Sequence, residues 1–184
     1  MSDGSSILLE SAHTYIARGY AVIPVPARKK IPVLKGWTDL RLSETDLPAH
    51  FNGTGNIGVL LGEPSGWLVD VDLDCEEAVA LAPKFLPPTG AMSGRPGKPA
   101  SHWWYICEGI KTRKHQDPVS KKMIVELRST GAQTVVGPSI HPSGEPYDPL
   151  DGEPAVVDAG ELAAAVAALA DGAILRLARL CRAG

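Results

Sequence analysis

The sequence predicts an α/β protein, more closely of the α+β kind, with mixed β-sheets, flanking helices and a C-terminal helix. Three observations lead to this prediction. Short apolar runs rich in Val, Ile and Trp recur between Gly- and Pro-rich turns. Helical patterns lie among them at irregular intervals, unlike the regular alternation of a doubly wound parallel sheet. The chain then ends in a long Ala- and Leu-rich stretch of helical character.

The first third of the chain predicts one helix, a strand, a loop and a second, short helix. Residues 5–20 place apolar side chains at helical spacing, and Gly19 fits a C-cap. The prolines of "AVIPVP" place that strand at a sheet edge or end. Residues 29–40 form a loop, and "SETDLPAHF" predicts a helix that begins at Ser43. Two compact strands follow, "NIGVLLG" and "WLVDVDLD".

The remaining elements predict a helix, three strands and a helical end. Asp74 lies three residues before Glu77, the spacing of an N-cap and its N3 partner, at the head of "CEEAVALAPKFL". The strand-like runs lie within "AMSGRPGKPASHWWYICEG", "KMIVELRS" and "AQTVVGPS". A Pro- and Gly-rich loop separates them from a closing helix, or helix pair, broken near Gly172. We expect one domain over residues 1–184, with its core at about 9–157 and a helical segment at 158–184.

Composition excludes several classes of protein. The 184 residues are 44% hydrophobic and 21% charged, as in ordinary soluble domains. No apolar run approaches the ~20 residues that cross a bilayer, and the polar start carries no basic signal region. Three widely spaced cysteines form neither a metal-binding pair nor a disulfide framework. They are Cys75, Cys107 and Cys181. We therefore expect a cytoplasmic protein with no membrane partner.

Charge is distributed unevenly along the chain. The formal net charge is −3, which does not by itself indicate a nucleic-acid partner. Between Ala91 and Arg128, however, eight basic residues accompany only three acidic ones. A second basic cluster lies near the N-terminus: Arg28, Lys29, Lys30 and Lys35. Such segregation can create a positive groove on an acidic protein, although residues 111–122 also fit a solvated loop.

Two aspartates in one strand indicate a cation site. Asp70 and Asp72 are two residues apart in "WLVDVDLD", so their side chains share a face ~6.6–6.8 Å apart. Carboxylates this close repel, and a divalent cation removes the repulsion. Hard oxygen ligands suit Mg²⁺ or Mn²⁺, and two ions ~3.5–4 Å apart can be bridged by such a pair. The alternative is an exposed strand face that binds no ion.

A third carboxylate is offered by "MIVELRS". Glu126 follows three apolar residues, and Arg128 lies on the same face of that strand. An acid in such a strand is rarely buried without a partner. Locally, Glu126 and Arg128 also fit a simple neighbour pair or a solvent-facing alternation. Together with the two aspartates, Glu126 favours a site of three carboxylates.

Two further segments carry polar groups suited to a nucleotide. Glycine-freed amides and basic side chains in "SGRPGKPASH" suit phosphate oxygens, and its candidates are Ser93, Gly94, Arg95 and Lys98. His102 begins the next strand and can donate to a phosphate, although a histidine beside two tryptophans also fits a packed core. Ser139 and His141, in "GPSIHPSGEPY", suit close approach to a sugar or base, or else a tight loop.

In this order, the motifs resemble the bifunctional DNA primase/polymerase N-terminal domain, the Prim-Pol branch of the archaeo-eukaryotic primase superfamily. They are "VDVD" (69–72), "SGRPGKPASH" (93–102), "VELRS" (125–129) and "GAQTVVGPSIHPSGEPY" (131–147). "GYAVIPV", "KKIPVLKGW" and "NIGVLLG" are also similar, so the resemblance runs from about Leu9 to Tyr147. Ala132 and Gln133 depart from the family, which often has a second glycine and an aromatic residue there.

The resemblance implies an RRM-like catalytic half joined to an N-terminal unit. It also implies template-directed nucleotidyl transfer, as a DNA primase or DNA polymerase, with nucleoside triphosphates on single-stranded DNA during replication. A helicase domain or protein is a partner typical of the family. Two alternatives use the same residues: a metal-dependent phosphodiesterase or nuclease, and a catalytically inactive nucleotide- or DNA-binding replication module.

The resemblance also implies roles for individual residues. Asp70, Asp72 and Glu126 would hold two Mg²⁺ or Mn²⁺ ions, and with His102 they form the expected catalytic set. His102 would contact the triphosphate, supported by Ser93, Gly94, Arg95 and Lys98. The residues expected beside the nucleotide are Arg128, Ser139 and His141, and those expected on the DNA template are Lys30, Lys35, Arg113 and Lys114.

Overall fold

The computed structural model describes residues 3–183, with the side chains of residues 7–179. Its α-helices are α1 (Asp3–Ala17), α2 (Leu47–His50), α3 (Glu76–Phe85) and α4 (Ala159–Ala183). Its first five strands are β1 (Val22–Val25), β2 (Asn56–Leu60), β3 (Leu68–Leu73), β4 (Met92–Arg95) and β5 (Lys98–Ile106). The others are β6 (Arg113–Gln116), β7 (Met123–Arg128), β8 (Gln133–Val136) and β9 (Ala155–Val156). Mixed sheets with flanking helices and a C-terminal helix confirm the predicted fold class.

The larger sheet has six strands, and β3 lies at its centre. The order β4-β5-β3-β7-β6 is antiparallel throughout, and β9 adds to β5 in parallel. Side chains alternate along a strand, so Val69, Val71 and Leu73 share one face and pack with α3 and α4 in a buried core. Asp70 and Asp72 therefore lie on the opposite face. This sheet with two helices on one side is the half predicted to be RRM-like.

The smaller sheet has the order β1-β2-β8. This sheet and helix α1 are here called the N-terminal unit, although β8 comes from later in the chain. Apolar residues of α1 and β2 form a second core that also contains Leu68 and Trp104 of the larger sheet. The Tyr15 hydroxyl fixes α1 to this unit by donating to the Gly137 carbonyl at 2.7 Å. Strand β1, which contains Pro24, lies at the sheet edge, as the sequence predicts. The N-terminal unit thus covers part of the face that carries the aspartates.

Three predictions about helix ends are wrong. Helix α2 begins at Leu47 rather than Ser43. The Ser43 hydroxyl and amide instead donate to the Asp46 carboxylate, which closes a turn before the helix. The N-cap position of α3 is Cys75, so Asp74 is not its cap. Helix α4 continues through Gly172, where a Cβ would lie 3.2 Å from Phe85 Cζ; the glycine provides room for α3 rather than a break. The C-cap prediction at Gly19 agrees with its φ of 82°.

Part of the basic segment 111–122 is a strand rather than a loop. Residues 113–116 form β6, which pairs with β7 and ends the larger sheet. Their side chains are largely exposed, so the helical and strand periodicities that reveal a buried face are missing there. Within residues 3–183, no helix combines the length and the apolar character that a bilayer crossing requires. Cys75 and Cys107 are free thiols, and the side chain of Cys181 lies outside the described residues.

Candidate active site

Strands β3, β5 and β7 bring the predicted acids and the histidine together. Asp72 lies directly opposite Glu126 on β7 and His102 on β5. Asp70 is paired in the same way with Arg128. Residues directly opposite in antiparallel strands share a face of the sheet. The interpretation of "VDVD" and "VELRS" as neighbouring strands with their charges on one side is therefore confirmed.

A cavity of about 570 Å³ opens over this face, between the two sheets. Its acidic lining residues are Asp72, Asp74 and Glu126. Its basic lining residues are Lys30, Arg95, Lys98, His102, Lys114 and Arg128. The cavity lining thus combines three carboxylates with an excess of basic side chains. This combination suits a ligand with several negative charges.

Asp70, Asp72 and Asp74 occur at every second position and are here called the acidic stripe. Asp70 is at the buried end of this stripe and does not line the cavity. Its side chain is 0% exposed. The Thr134 hydroxyl donates to Asp70 Oδ2 at 2.7 Å, and His102 Nδ1 donates to the same oxygen at 3.0 Å. Arg128 Nη1 lies 3.6 Å from it. Because a carboxylate only accepts, His102 Nδ1 must carry its hydrogen, and Nε2 is the ring nitrogen left for the cavity.

Asp72 and Asp74 form the open end of the stripe. The Asp72 side chain is 8% exposed, and the Asp74 side chain is 29% exposed. Lys98 Nζ lies 3.3 Å from Asp74 Oδ1 and 3.9 Å from Asp72 Oδ1. At Asp74 the observed countercharge is therefore the side chain of Lys98, whereas Asp70 is held by buried groups.

Arg128 links the three predicted acids. Its Nε donates to Glu126 Oε2 at 2.8 Å, and its Nη2 donates to the Asp72 carboxylate. Burial lowers the pKa of this guanidinium, but the charges of Asp72 and Asp70 outweigh burial and raise it. Arg128 therefore stays charged, and it lies between carboxylates that the sequence predicted to converge directly.

The two buried aspartates differ in their proton affinity. Burial raises the pKa of Asp70, but the charges of His102 and Arg128 outweigh it and leave that pKa below its ordinary value. For Asp72 burial dominates, and the same two cations offset it only in part, so its pKa is raised. Burial lowers the pKa of His102, yet Asp70 and Asp72 raise it overall. The two carboxylates thus shift the His102 ring toward its charged form, in which Nε2 is a good donor to a phosphate.

A further ion pair, between Arg95 and Glu145, lies at the β4–β5 hairpin beside the cavity. The Arg95 guanidinium donates to the Glu145 carboxylate, and the Gly97 amide donates to the same side chain. The Asp148 amide donates to the Gly94 carbonyl at 2.9 Å, which ties the 145–148 segment to the β4–β5 hairpin. The hairpin predicted to bind phosphate is therefore braced by the loop that follows β8.

Residues 12–167 match the family described as bifunctional DNA primase/polymerase, N-terminal, or Prim-Pol. The chain belongs to this family. A search of curated proteins found no match. The family implies nucleotidyl transfer of the primase and polymerase type in general, and its members are typically metal-dependent.

The cavity of this Prim-Pol chain offers the ligand type that Mg²⁺ and Mn²⁺ prefer. Asp72, Asp74 and Glu126 present carboxylate oxygens to one space, which fits a hard cation. In the part of the chain that the structure describes, no three His, Cys, Asp or Glu side chains are grouped as a metal site. Lys98 and Arg128 lie among the acids instead.

Some residues predicted to bind nucleotide do not line the cavity of the Prim-Pol chain. Ser93 is buried, and its hydroxyl accepts from Trp104 Nε1 at 2.9 Å. Ser139 is also buried and accepts from the Ile57 amide at 2.8 Å. His141 bonds to Ser143 in the loop after β8. Their observed contacts are structural, and their roles toward a nucleotide stay predictions.

The residues predicted to bind template are divided in the same way. Lys30 and Lys114 line the cavity, and Lys114 Nζ lies 3.4 Å from Glu126 Oε1. Lys35 and Arg113 are exposed and lie outside its lining. A DNA strand is much longer than one nucleotide, so exposed basic residues beyond the cavity still fit a template path.

Sequence reasoning missed Thr134 and Asp74 as residues of the site. Thr134 lies on β8, in the other sheet, and only the packing of the two sheets brings its hydroxyl to Asp70. The four residues "QTVV" do not alternate in polarity, so no periodic signal marked Thr134, which is only 3% exposed in the structure. Asp74 continues the alternation of Asp70 and Asp72, but its spacing to Glu77 also fitted a helix cap.

Proposed function

We propose that this chain is a DNA primase/polymerase that joins nucleoside triphosphates on a single-stranded DNA template during replication. One observation carries the proposal: three neighbouring strands present Asp72, Glu126 and His102 to one cavity whose other walls are cationic. Phosphoryl transfer depends mainly on positioning and on stabilising negative charge, and this arrangement offers both.

The cationic walls would bind the triphosphate. His102, whose ring is shifted toward the charged form, donates from Nε2, while Arg95 and Lys98 neutralise phosphate oxygens from the β4–β5 hairpin. Gly94 allows β4 to pack closely against β5 in this hairpin, because a Cβ there would lie 2.4 Å from the Lys98 carbonyl oxygen. The attacking 3′-hydroxyl oxygen forms a bond to the α-phosphorus, its proton leaves to solvent, and pyrophosphate departs.

Asp72 and Glu126, with Asp74 beside them, are the carboxylates that we propose as ligands of divalent cations. When bound, a pair of such ions lowers the pKa of the attacking hydroxyl and stabilises the departing pyrophosphate. All three side chains face the cavity. The sequence also predicted Asp70 as a ligand; this stays a prediction, and its observed contacts support a different role. Asp70 holds the His102 ring and the Arg128 guanidinium in place.

The proposal is tested by incorporation of a labelled nucleotide on a primed single-stranded template with Mg²⁺ or Mn²⁺. We expect incorporation by the wild-type chain and none above background by Asp72→Ala. Glu76→Gln, which changes an exposed acid outside the cavity, is the matched control and should retain activity. Equal incorporation by wild type and Asp72→Ala would remove the catalytic assignment.

A second assay separates the activities that this site could perform. On an unprimed template, a nucleotide labelled at its γ-phosphate leaves its label in the product only when synthesis starts de novo. A retained label identifies a primase, and incorporation on primed template alone identifies a polymerase. Metal-dependent shortening of the strand with no incorporation would instead identify a phosphodiesterase or nuclease.

A further inference from the structure

The loop formed by residues 28–37, here the 28–37 loop, presents apolar side chains to solvent. Ile31 is 74% exposed, Val33 80% and Leu34 42%. Scattered apolar side chains are common on protein surfaces, but three within four residues form a patch. Exposure of this apolar surface to water is unfavourable in free energy, and contact with another apolar surface would remove that exposure. The patch therefore indicates a binding partner.

The loop is held in place at the mouth of the cavity. The Lys30 carbonyl accepts from Gln133 Nε2 at 2.6 Å, and the Lys29 carbonyl accepts from Asn56 Nδ2 at 3.1 Å. Ile31 and Trp37 line the cavity that contains the acids. Ile31 thus belongs both to the cavity lining and to the exposed patch, so a partner that contacts Ile31 lies next to the cavity that contains the acids.

The charge of the loop indicates what that partner is. The segment from Ala27 to Thr38 contains four basic residues and no acidic one. They flank the apolar side chains on both sides, as "RKKIPVLK". A partner that fits must therefore offer a repeated negative charge together with apolar faces.

Single-stranded nucleic acid has this combination. Its phosphates repeat along the strand, and its unpaired bases expose flat faces that a duplex keeps stacked inside. We propose that the 28–37 loop binds the template strand, with its lysines on the phosphates and with Ile31, Val33 and Leu34 against the bases. This inference rests on the proposed function, because it gives the template a position next to the catalytic cavity.

The test compares a base-bearing strand with an abasic strand of equal length and charge. Fluorescence anisotropy of labelled oligonucleotides is measured in EDTA without nucleotide, so that catalysis plays no part. The variant is Ile31→Ser/Val33→Ser/Leu34→Ser. Its matched control is Val119→Ser/Val156→Ser, which changes two side chains that are 88% and 83% exposed and lie outside the cavity lining.

We expect the wild-type chain and the control to bind the base-bearing strand more tightly than the abasic strand. The triple variant should bind the base-bearing strand about tenfold more weakly and the abasic strand unchanged, because only contacts to bases are lost. Lys29→Gln/Lys35→Gln should weaken both strands alike, because it removes contacts to phosphates. The single variant Val33→Ser should bind the base-bearing strand more weakly by a smaller factor, with unchanged binding of the abasic strand. It provides the test if the triple variant does not fold.

Three outcomes would overturn the inference. If the wild-type chain binds DNA and the triple variant keeps the preference for bases, the loop assignment fails and the proposed function remains. Wild-type binding to vesicles of anionic lipid, lost in the triple variant while DNA binding is unchanged, would identify the loop as a membrane surface. If the wild-type chain binds neither strand, the proposed function fails together with the loop.

Discussion

The two ends of the acidic stripe differ although they lie four residues apart. Asp70 is completely buried and surrounded by Thr134, His102 and Arg128. Asp74 faces the cavity, and its observed partner is the side chain of Lys98. One end is thus satisfied by groups that cannot leave without loss of structure, and the other by a group that can. Aspartates at equal spacing in the sequence thus lie in unequal environments, one buried and one facing the cavity.

The largest effect is expected at Asp72, which joins the two ends. Asp72→Asn keeps the shape of the side chain but removes a charge that faces the cavity. We expect the rate of metal-dependent incorporation to fall by about a thousandfold, the loss typical of removing several kcal/mol of charge stabilisation. Single-turnover incorporation measures it, and a fall of less than tenfold would show that Asp72 is not central to the reaction.

The buried end is expected to control stability. Asp70→Ala leaves Arg128 and His102 charged without their buried partner, so the free energy of unfolding should fall by about 3–5 kcal/mol. Urea unfolding in EDTA measures the change without any contribution from metal. An unfolding free energy within about 0.5 kcal/mol of wild type, the effect of an ordinary surface substitution, would contradict the structural role of Asp70.

Thr134 tests the role of the buried end of the stripe, because its hydroxyl reaches Asp70 from the other sheet. Thr134→Val removes the hydroxyl that donates to Asp70 at 2.7 Å and keeps the size of the side chain. The free energy of unfolding should fall by about 1–2 kcal/mol, the usual effect of leaving a buried acceptor short of one donor. The same urea experiment measures it, and an unchanged or higher stability would show that Asp70 needs no donor from β8.

The smallest effect on stability is expected at the open end. Asp74→Asn should change the free energy of unfolding in EDTA by no more than about 0.5 kcal/mol. In excess Mn²⁺ the wild-type chain should gain stability, by about 2.7 kcal/mol at a hundred times the dissociation constant, and the variant should gain less. Glu76→Gln is the control for the lost charge. An equal gain in Asp74→Asn would exclude Asp74 as a ligand.

Much of the fold was predictable because its signals are local. The alternation in "WLVDVDLD" and "MIVELRS" gave two strands with a charged and an apolar face, and the structure confirms both. Strand β6 was not predicted, since its side chains are mostly exposed and show no buried face. Gly172 was interpreted as a break, because close packing against Phe85 depends on a distant part of the chain.

The site was predictable only in part, for the same reason. The acids and His102 could be grouped because they follow each other on strands whose pairing brings them together. Which aspartate faces the cavity depends on how the N-terminal unit covers the sheet, and no local pattern carries that information. Thr134 and the bracing carboxylate of Glu145 come from segments far along the chain. Arg128 lies between the acids, and its expected position beside the nucleotide stays a prediction.

The ion pair between Arg95 and Glu145 has a consequence for ligand choice. A phosphate that reaches Arg95 meets a guanidinium that already donates to the Glu145 carboxylate, so the two anions would compete for its donors. A ligand with a single weak charge gains little in that competition, whereas a polyphosphate replaces Glu145 with more than one anionic oxygen. Under the proposed function, competition from Glu145 would therefore favour ligands with several negative charges over ligands with one weak charge at the β4–β5 hairpin.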